Sequence, residues 1–103
     1  MTYADRSITE FVSSIAAGQP TPGGGAAAAI VGATGAALVE MLCNLTIGRE
    51  EYADVEDDLV EIRDDLKSRR ERLFELADED AAAFEEVMAA YKSDDDDRAA
   101  AIE

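Results

Sequence analysis

Gln19-Pro20-Thr21-Pro22-Gly23-Gly24-Gly25 runs straight into Ala26-Ala27-Ala28-Ala29, joining a tight glycine loop to the start of a helix. The prolines fix the approach of the chain, and the glycines let backbone come close to a neighbour. The first-turn amides of such a helix have no partners inside it, so they present a donor-rich, positive surface to an anionic or carbonyl-bearing ligand. The plainer reading of the loop is a helix–helix connection that needs a positive φ.

Helical signals lie on both sides of this loop. Upstream, Ser7-Ile8-Thr9-Glu10 has the spacing of a capping box, and Ile8, Phe11, Val12, Ile15 and Ala16 recur at helical intervals until Gly18. Downstream, a second helix is predicted from about Gly24 or Gly25 to about Ile47 or Gly48. Its sides are so small that it reads as the buried centre of a bundle, with surface left for another helix or subunit. From Glu50 to Tyr91 there is neither Gly nor Pro. Tyr52, Val55, Leu59, Ile62, Leu66, Leu73, Leu76, Ala83 and Val87 keep a three-four spacing, as one long helix with a bundle or oligomer seam. Arg69 and Asp80 occupy seam slots where apolar residues are expected. Ser93 with Asp94 to Asp97 reads equally as the cap of a further helix or as a solvated acidic loop. The fold class is all-α: a bundle of long antiparallel helices, completed by oligomerisation.

With 103 residues, 48% of them hydrophobic, the chain makes one small domain over residues 1–103. The net charge of −15 arises from 24 acidic against 9 basic residues, which argues against nucleic acid as a partner. The charges lie between regularly spaced apolar residues, so they form a solvated shell rather than a disordered chain. Two lysines, Lys67 and Lys92, against so many carboxylates suggest adaptation to high salt. The lone Cys43 fits a buried thiol in a reducing compartment. No histidine occurs, which removes histidine relays and the usual zinc ligand sets. The polar opening Met1-Thr2-Tyr3-Ala4-Asp5-Arg6 has no leader character, so a cytoplasmic location is expected. The uncharged run Gly23 to Val39 meets Glu40 and Asn44 and is expected to fall short of a membrane span.

A carboxylate on an apolar stripe is costly to bury, so Asp80 has a raised pKa, meets a cation or borders a ligand cavity. Those conditions suit a general acid or base. Ala77, Ala81 and Phe84 lie beside it on the helix, and Asp78 and Glu79 point further round. The structural alternative is an ion pair, for instance with Arg69 of another subunit. A second polar group gathers at the end of the second helix. Gly48 suits a C′ position, which leaves Thr46, Arg49 and Tyr52 close together. Arg49 can clamp a carboxylate and Tyr52 can stack on a flat heterocycle, or the segment is a capped turn with a surface arginine.

Three motifs in order carry a resemblance: Pro20 to Ala28, then Met41 to Arg49 with Tyr52, then Asp78-Glu79-Asp80-Ala81-Ala82-Ala83-Phe84 with Val87-Met88. Together they resemble the cyclodeaminase/cyclohydrolase family, the C-terminal domain of formiminotransferase-cyclodeaminase, also found as stand-alone methenyltetrahydrofolate cyclohydrolase. The resemblance covers nearly all of the chain, which matches about the first half of the family domain. It implies an all-helical, dimeric enzyme of one-carbon folate metabolism with a tetrahydrofolate derivative as substrate and no further cofactor or metal. The implied reactions are closure of 5-formiminotetrahydrofolate with loss of ammonia and interconversion of 5,10-methenyl- and 10-formyltetrahydrofolate. Asp80 is implied as the catalytic carboxylate. Gly23, Gly24 and Gly25 would line the pteridine, and Thr46, Gly48, Arg49 and Tyr52 would frame the site. Lys67, Arg69, Arg70 and Arg72 are the dense basic cluster available to substrate carboxylates, unless they pair with acids one turn away. The absence of a formiminotransferase segment favours the cyclohydrolase. The competing reading is a non-catalytic assembly subunit or truncated remnant that uses the same surfaces.

At molar salt the Debye length falls to about 3 Å, screening the self-repulsion of the acidic shell. The melting temperature, followed by circular dichroism, is therefore expected to rise between dilute buffer and molar potassium chloride. An unchanged value would contradict the halophilic reading.

Overall fold

The computed structural model describes residues 2–102, with side chains as far as Asp94. A 3-10 turn at Tyr3–Asp5 leads into α1, Ile8–Ala16. Ser7 caps α1, its hydroxyl accepting the Glu10 N–H at 3.0 Å, as the capping-box spacing requires. Gly18, at φ +78°, ends the run. Phe11 is the buried residue of α1 and meets the Tyr3 ring edge-on, 5.3 Å between centroids.

Helix α2 spans Gly24–Thr46 and α3 spans Glu56–Ile102, joined through a 3-10 segment at Glu50–Val55 that is kinked at Tyr52. The two helices are antiparallel. Gly25 lies against Asp80 and Gly32 against Leu73. Glu40 pairs with Arg70, Asn44 with Arg63, and the Gly48 N–H with Glu56. Buried positions on the two helices are nearly all small: Ala26, Ala33 and Cys43 on α2, Ala77 and Ala81 on α3. Removing side-chain bulk lets the backbones approach, so the contact is made by many short-range dispersion contacts.

Several expectations are corrected. No glycine of the Gly23–Gly25 loop has positive φ; that conformation is confined to Gly18 and Gly48 among the described residues. The seam on α3 is rotated from the expected stripe: Arg70, Ala77 and Ala81 face inward, while Ile62, Leu76 and Val87 are about half exposed. Arg69 is outside, bound to Asp65 at 2.8 Å. The lone acid of α2 decides this rotation, because Glu40 is 7% exposed and needs a cation. Helix α3 also continues through Ser93 and the aspartates to Ile102, so no new helix starts there; the side chains of residues 95–103 lie outside the described ones. At 23 residues, with an 18-residue window of mean hydropathy 1.8, α2 is long and apolar enough to cross a bilayer by length and composition, where the sequence reading expected it to fall short. A core helix of a helical domain passes the same test.

The chain does not close a core by itself. Its radius of gyration is 20.4 Å, against about 13 Å for a compact domain of this length. Among the described residues the buried apolar ones are, apart from Phe11 and Pro22, no larger than Cys43. Val31, Leu38, Leu42 and Leu45 on α2 remain exposed.

The pair between Glu40 and Arg70 is bidentate, at 2.7 and 3.1 Å. The Arg70 hydrogen bonds hold the Glu40 carboxyl below its ordinary value of 4.5, against the opposing effect of burial. A lowered folded-state pKa means stability that is complete above the unfolded value and lost as pH falls through the folded one. Arg70→Met is therefore expected to lower the melting temperature at pH 7 and to flatten its decline below pH 4.5, whereas Arg69→Met leaves both nearly unchanged. Thermal melts of the two variants from pH 3 to pH 7 make the comparison.

Candidate functional site

The acidic run Asp78-Glu79-Asp80 gives its three carboxylates three different surroundings. Asp78 accepts the Tyr3 backbone N–H at 3.0 Å and ties the N-terminal segment to α3. Glu79 is held by the Arg72 guanidinium at 3.0 and 3.3 Å, two turns back along the same helix face. Asp80 has no hydrogen-bond or ion-pair partner among the described residues. It is exposed rather than buried, so the expectation of a costly buried charge gives way to the other one, a carboxylate bordering a cavity.

That cavity is an open cleft of about 550 Å³ lined by Gly25, Ala28, Ala29, Leu73, Leu76, Glu79 and Asp80. One wall is the first turns of α2. The first amide of α2 bonded within the chain is that of Ala27, to the Gly23 carbonyl at 3.0 Å, so the amides of Gly24, Gly25 and Ala26 come ahead of it at the positive end of the helix. A carboxylate is favoured there. Asp80 lies so close to Gly25 that an added Cβ would fall 2.6 Å from Oδ2 and 2.7 Å from Oδ1. This is the close approach that the glycine loop anticipated, and it is specific to one glycine: a Cβ at Gly24 would meet nothing within 4 Å, and one at Gly23 only the Pro20 carbonyl at 3.3 Å.

The second group of candidates sits elsewhere. Thr46 donates its hydroxyl to the Leu42 carbonyl at 2.7 Å, closing the last turn of α2. Gly48, at φ +91°, occupies the C′ position and gives its N–H to Glu56 at 2.7 Å. Arg49 is exposed and Tyr52 is 46% exposed in the 3-10 segment. Twenty-one residues of helix separate Gly25 from Thr46, about 30 Å at 1.5 Å per residue. Within one chain, Thr46, Gly48, Arg49 and Tyr52 do not meet Asp80 and Gly25.

The basic cluster is largely consumed internally. Arg69 pairs with Asp65, Arg70 with Glu40, and Arg72 with Glu75 and Glu79, which leaves Lys67 alone of the four without a short ion pair among the described residues. Glu40 was the informative residue that pattern reading passed over. A single carboxylate inside an otherwise uncharged helix signals a cation on the facing element. No group of three metal-ligating side chains occurs among the described residues.

The formiminotransferase-cyclodeaminase family matches residues 7–103. A methenyltetrahydrofolate cyclohydrolase of Methylorubrum extorquens is 46% identical over 99 residues, spanning 93% of this chain and 48% of that protein. A formimidoyltransferase-cyclodeaminase of Rattus norvegicus is 34% identical over 88 residues, spanning 85% of this chain and 16% of that protein. The crystal structure of a formiminotetrahydrofolate cyclodeaminase from Thermotoga maritima superposes with a TM-score of 0.83 at 44% identity, over 87% of this chain and 46% of that one. The chain thus spans about half the length of its bacterial relatives.

Because the atoms nearest a Cβ at position 25 are the carboxyl group of Asp80, at the end of a side chain that can rotate away, Gly25→Ala is expected to preserve the fold. Its melting temperature should match or exceed that of the parent, since alanine is the better helix former. The Asp80 carboxylate, however, must move, and a changed carboxyl carbon shift in the nuclear magnetic resonance spectrum would report it. An unmoved Asp80 would refute the contact.

Proposed function

The chain belongs to the formiminotransferase-cyclodeaminase family, and from that membership we propose that it serves one-carbon folate chemistry at the Asp80 cleft. The reaction is that of a methenyltetrahydrofolate cyclohydrolase or a formiminotetrahydrofolate cyclodeaminase, carried out by a cytoplasmic homodimer or larger homo-oligomer. The observation that carries this reading is the Asp80 carboxylate, without a partner among the described residues, set against Gly25 at the head of α2.

Both reactions pass through a cationic, amidinium-like carbon between N5 and N10 of the folate. A free carboxylate beside that carbon stabilises the cation electrostatically. In the cyclohydrolase direction, water adds to the carbon and gives one proton to Asp80. The neutral adduct then breaks its carbon–N5 bond as N5 gains a proton and the hydroxyl oxygen loses one. Formyl is left on N10, and the Asp80 proton passes to solvent. In the cyclodeaminase direction, the imino nitrogen takes one proton from solvent, the same carboxylate takes the proton of the attacking nitrogen as the ring closes and passes it to the amino group, and ammonia departs to leave the methenyl cation. The Arg72 clamp on Glu79 suits both, because it leaves one uncompensated negative charge facing the substrate cation.

Positioned base catalysis contributes about 10²- to 10⁴-fold, so Asp80→Asn is expected to cut turnover by that order while retaining the helical spectrum. The decay of the 5,10-methenyltetrahydrofolate absorbance, measured in molar salt beside a protein-free blank, reads it directly. Ammonia release from 5-formiminotetrahydrofolate tests the second reaction. A folded protein no faster than the blank on either substrate would overturn the proposal in favour of a non-catalytic assembly subunit.

A further inference from the structure

Asp78 and Glu85, two turns apart, share one flank of α3, and Asp80, about 200° round from Asp78, lies on the other. The N-terminal segment rests on the Asp78 flank. Two cavities lie there, of about 370 and 300 Å³, and Tyr3, Arg6 and Glu85 line both. The larger is also lined by Gln19 and Thr21, from the loop that leads into α2. Arg6 is half-buried, with its guanidinium stacked over the Tyr3 ring, 4.8 Å from the centroid. It makes no ion pair and no side-chain hydrogen bond among the described residues, in a chain with 24 acidic residues to 9 basic ones. Burial raises the Tyr3 phenol above its ordinary value, against the opposing charge of Arg6, so Tyr3 does not supply the missing anion. Glu85 accepts the Thr21 hydroxyl at 3.0 Å on Oε1 and likewise has no ion pair among the described residues.

Two opposite charges thus border the same space without closing on each other, their nitrogen and oxygen atoms more than 4.0 Å apart. Each is anchored from elsewhere, Arg6 by the Tyr3 ring and Glu85 by Thr21. That separation selects the ligand. A simple anion on Arg6 would stand beside Glu85 and Asp78 in the field of a chain with net charge −15, and a simple cation on Glu85 would stand beside a guanidinium. A molecule bearing a carboxylate at one end and an ammonium at the other satisfies both groups and adds no net charge. A volume of 370 Å³ is at the small end of ligand cavities, which begin at about 300 Å³. We infer that the cavity between the N-terminal segment and α3 is a binding site for a small neutral α-amino acid, its carboxylate on Arg6 and its ammonium on Glu85. Such a ligand ties together three segments that meet only here: the N-terminal segment through Arg6, the loop before α2 through Thr21, and α3 through Glu85.

This site does not rest on the folate reading of the Asp80 cleft, and its test uses no folate. The protein is titrated in molar potassium chloride with L-alanine, with acetate and with methylammonium, while its amide and guanidinium N–H resonances are followed by nuclear magnetic resonance. L-alanine is expected to shift the Arg6 side-chain N–H and the Tyr3 and Thr21 amides saturably. Acetate and methylammonium, each carrying one of the two charges, are expected to bind at least about tenfold more weakly, the loss of one charged hydrogen-bonding group. Arg6→Gln and Glu85→Gln, whose helical spectra check the fold, should each weaken L-alanine to the same extent, whereas Arg6→Lys keeps the charge and should retain binding. L-alanine should also raise the melting temperature of the parent and not that of Arg6→Gln. Acetate binding as tightly as L-alanine would make this an anion site, and methylammonium doing so a cation site. Either result, no saturable shift with any of the three, or undiminished binding in both glutamine variants would overturn the inference.

Discussion

Everything in this molecule depends on how closely α2 can approach α3. Gly25, Ala26, Gly32 and Ala33 on one helix face Leu73, Ala77, Asp80 and Ala81 on the other, and the absence of side-chain bulk sets the spacing. Such an interface buries little apolar area per residue, so it has less hydrophobic driving force than a leucine-rich seam. What it provides instead is position. The Asp80 carboxylate reaches the head of α2 because nothing larger than hydrogen stands on Gly25. The Glu40–Arg70 pair then fixes the axial register at the middle of the interface, since any slide along the helices would leave a poorly solvated carboxylate without its partner.

The electrostatics divide in the same way. Most charges are spread over the outer face of α3, where they hydrate the surface and keep unrelated contacts away. Near the cleft the arrangement is selective: Asp78 is occupied by backbone, Glu79 by Arg72, and Asp80 by nothing among the described residues. Three adjacent acids thus have three different surroundings, separated by the 100° turn between successive helical residues.

Much of the architecture was legible in the sequence because its signals were local. The Ser7 cap, the Gly18 stop, the start of α2 and the Gly48 terminus each depend on a few neighbouring residues. What was not legible depended on the other helix. The three-four stripe of α3 admitted two adjacent faces, and only the demand of Glu40 for a cation selects the one bearing Arg70 rather than Arg69. The four aspartates after Ser93 read equally as a cap or as a solvated loop, yet α3 continues through them. The candidate site was legible by residue and not by place. Asp80 and Gly25 lie together, whereas Thr46, Arg49 and Tyr52, near in the motif order, stand a helix length away.

The hairpin formed by α2 and α3 has its turn at Gly48 to Glu56 and its open end at Gly25 and Asp80. Contacts at the turn close a loop of a few residues, and each further contact closes a longer one, at a rising entropic cost. Assembly from the turn therefore joins Gly48 to Glu56 first and Gly25 to Asp80 last, and partial opening proceeds in the reverse order. The Asp80 carboxylate lies at the end of the pair farthest from the turn, so its contact with Gly25 exists only when the whole length of the hairpin is zipped, and that contact reports on every one between it and the turn.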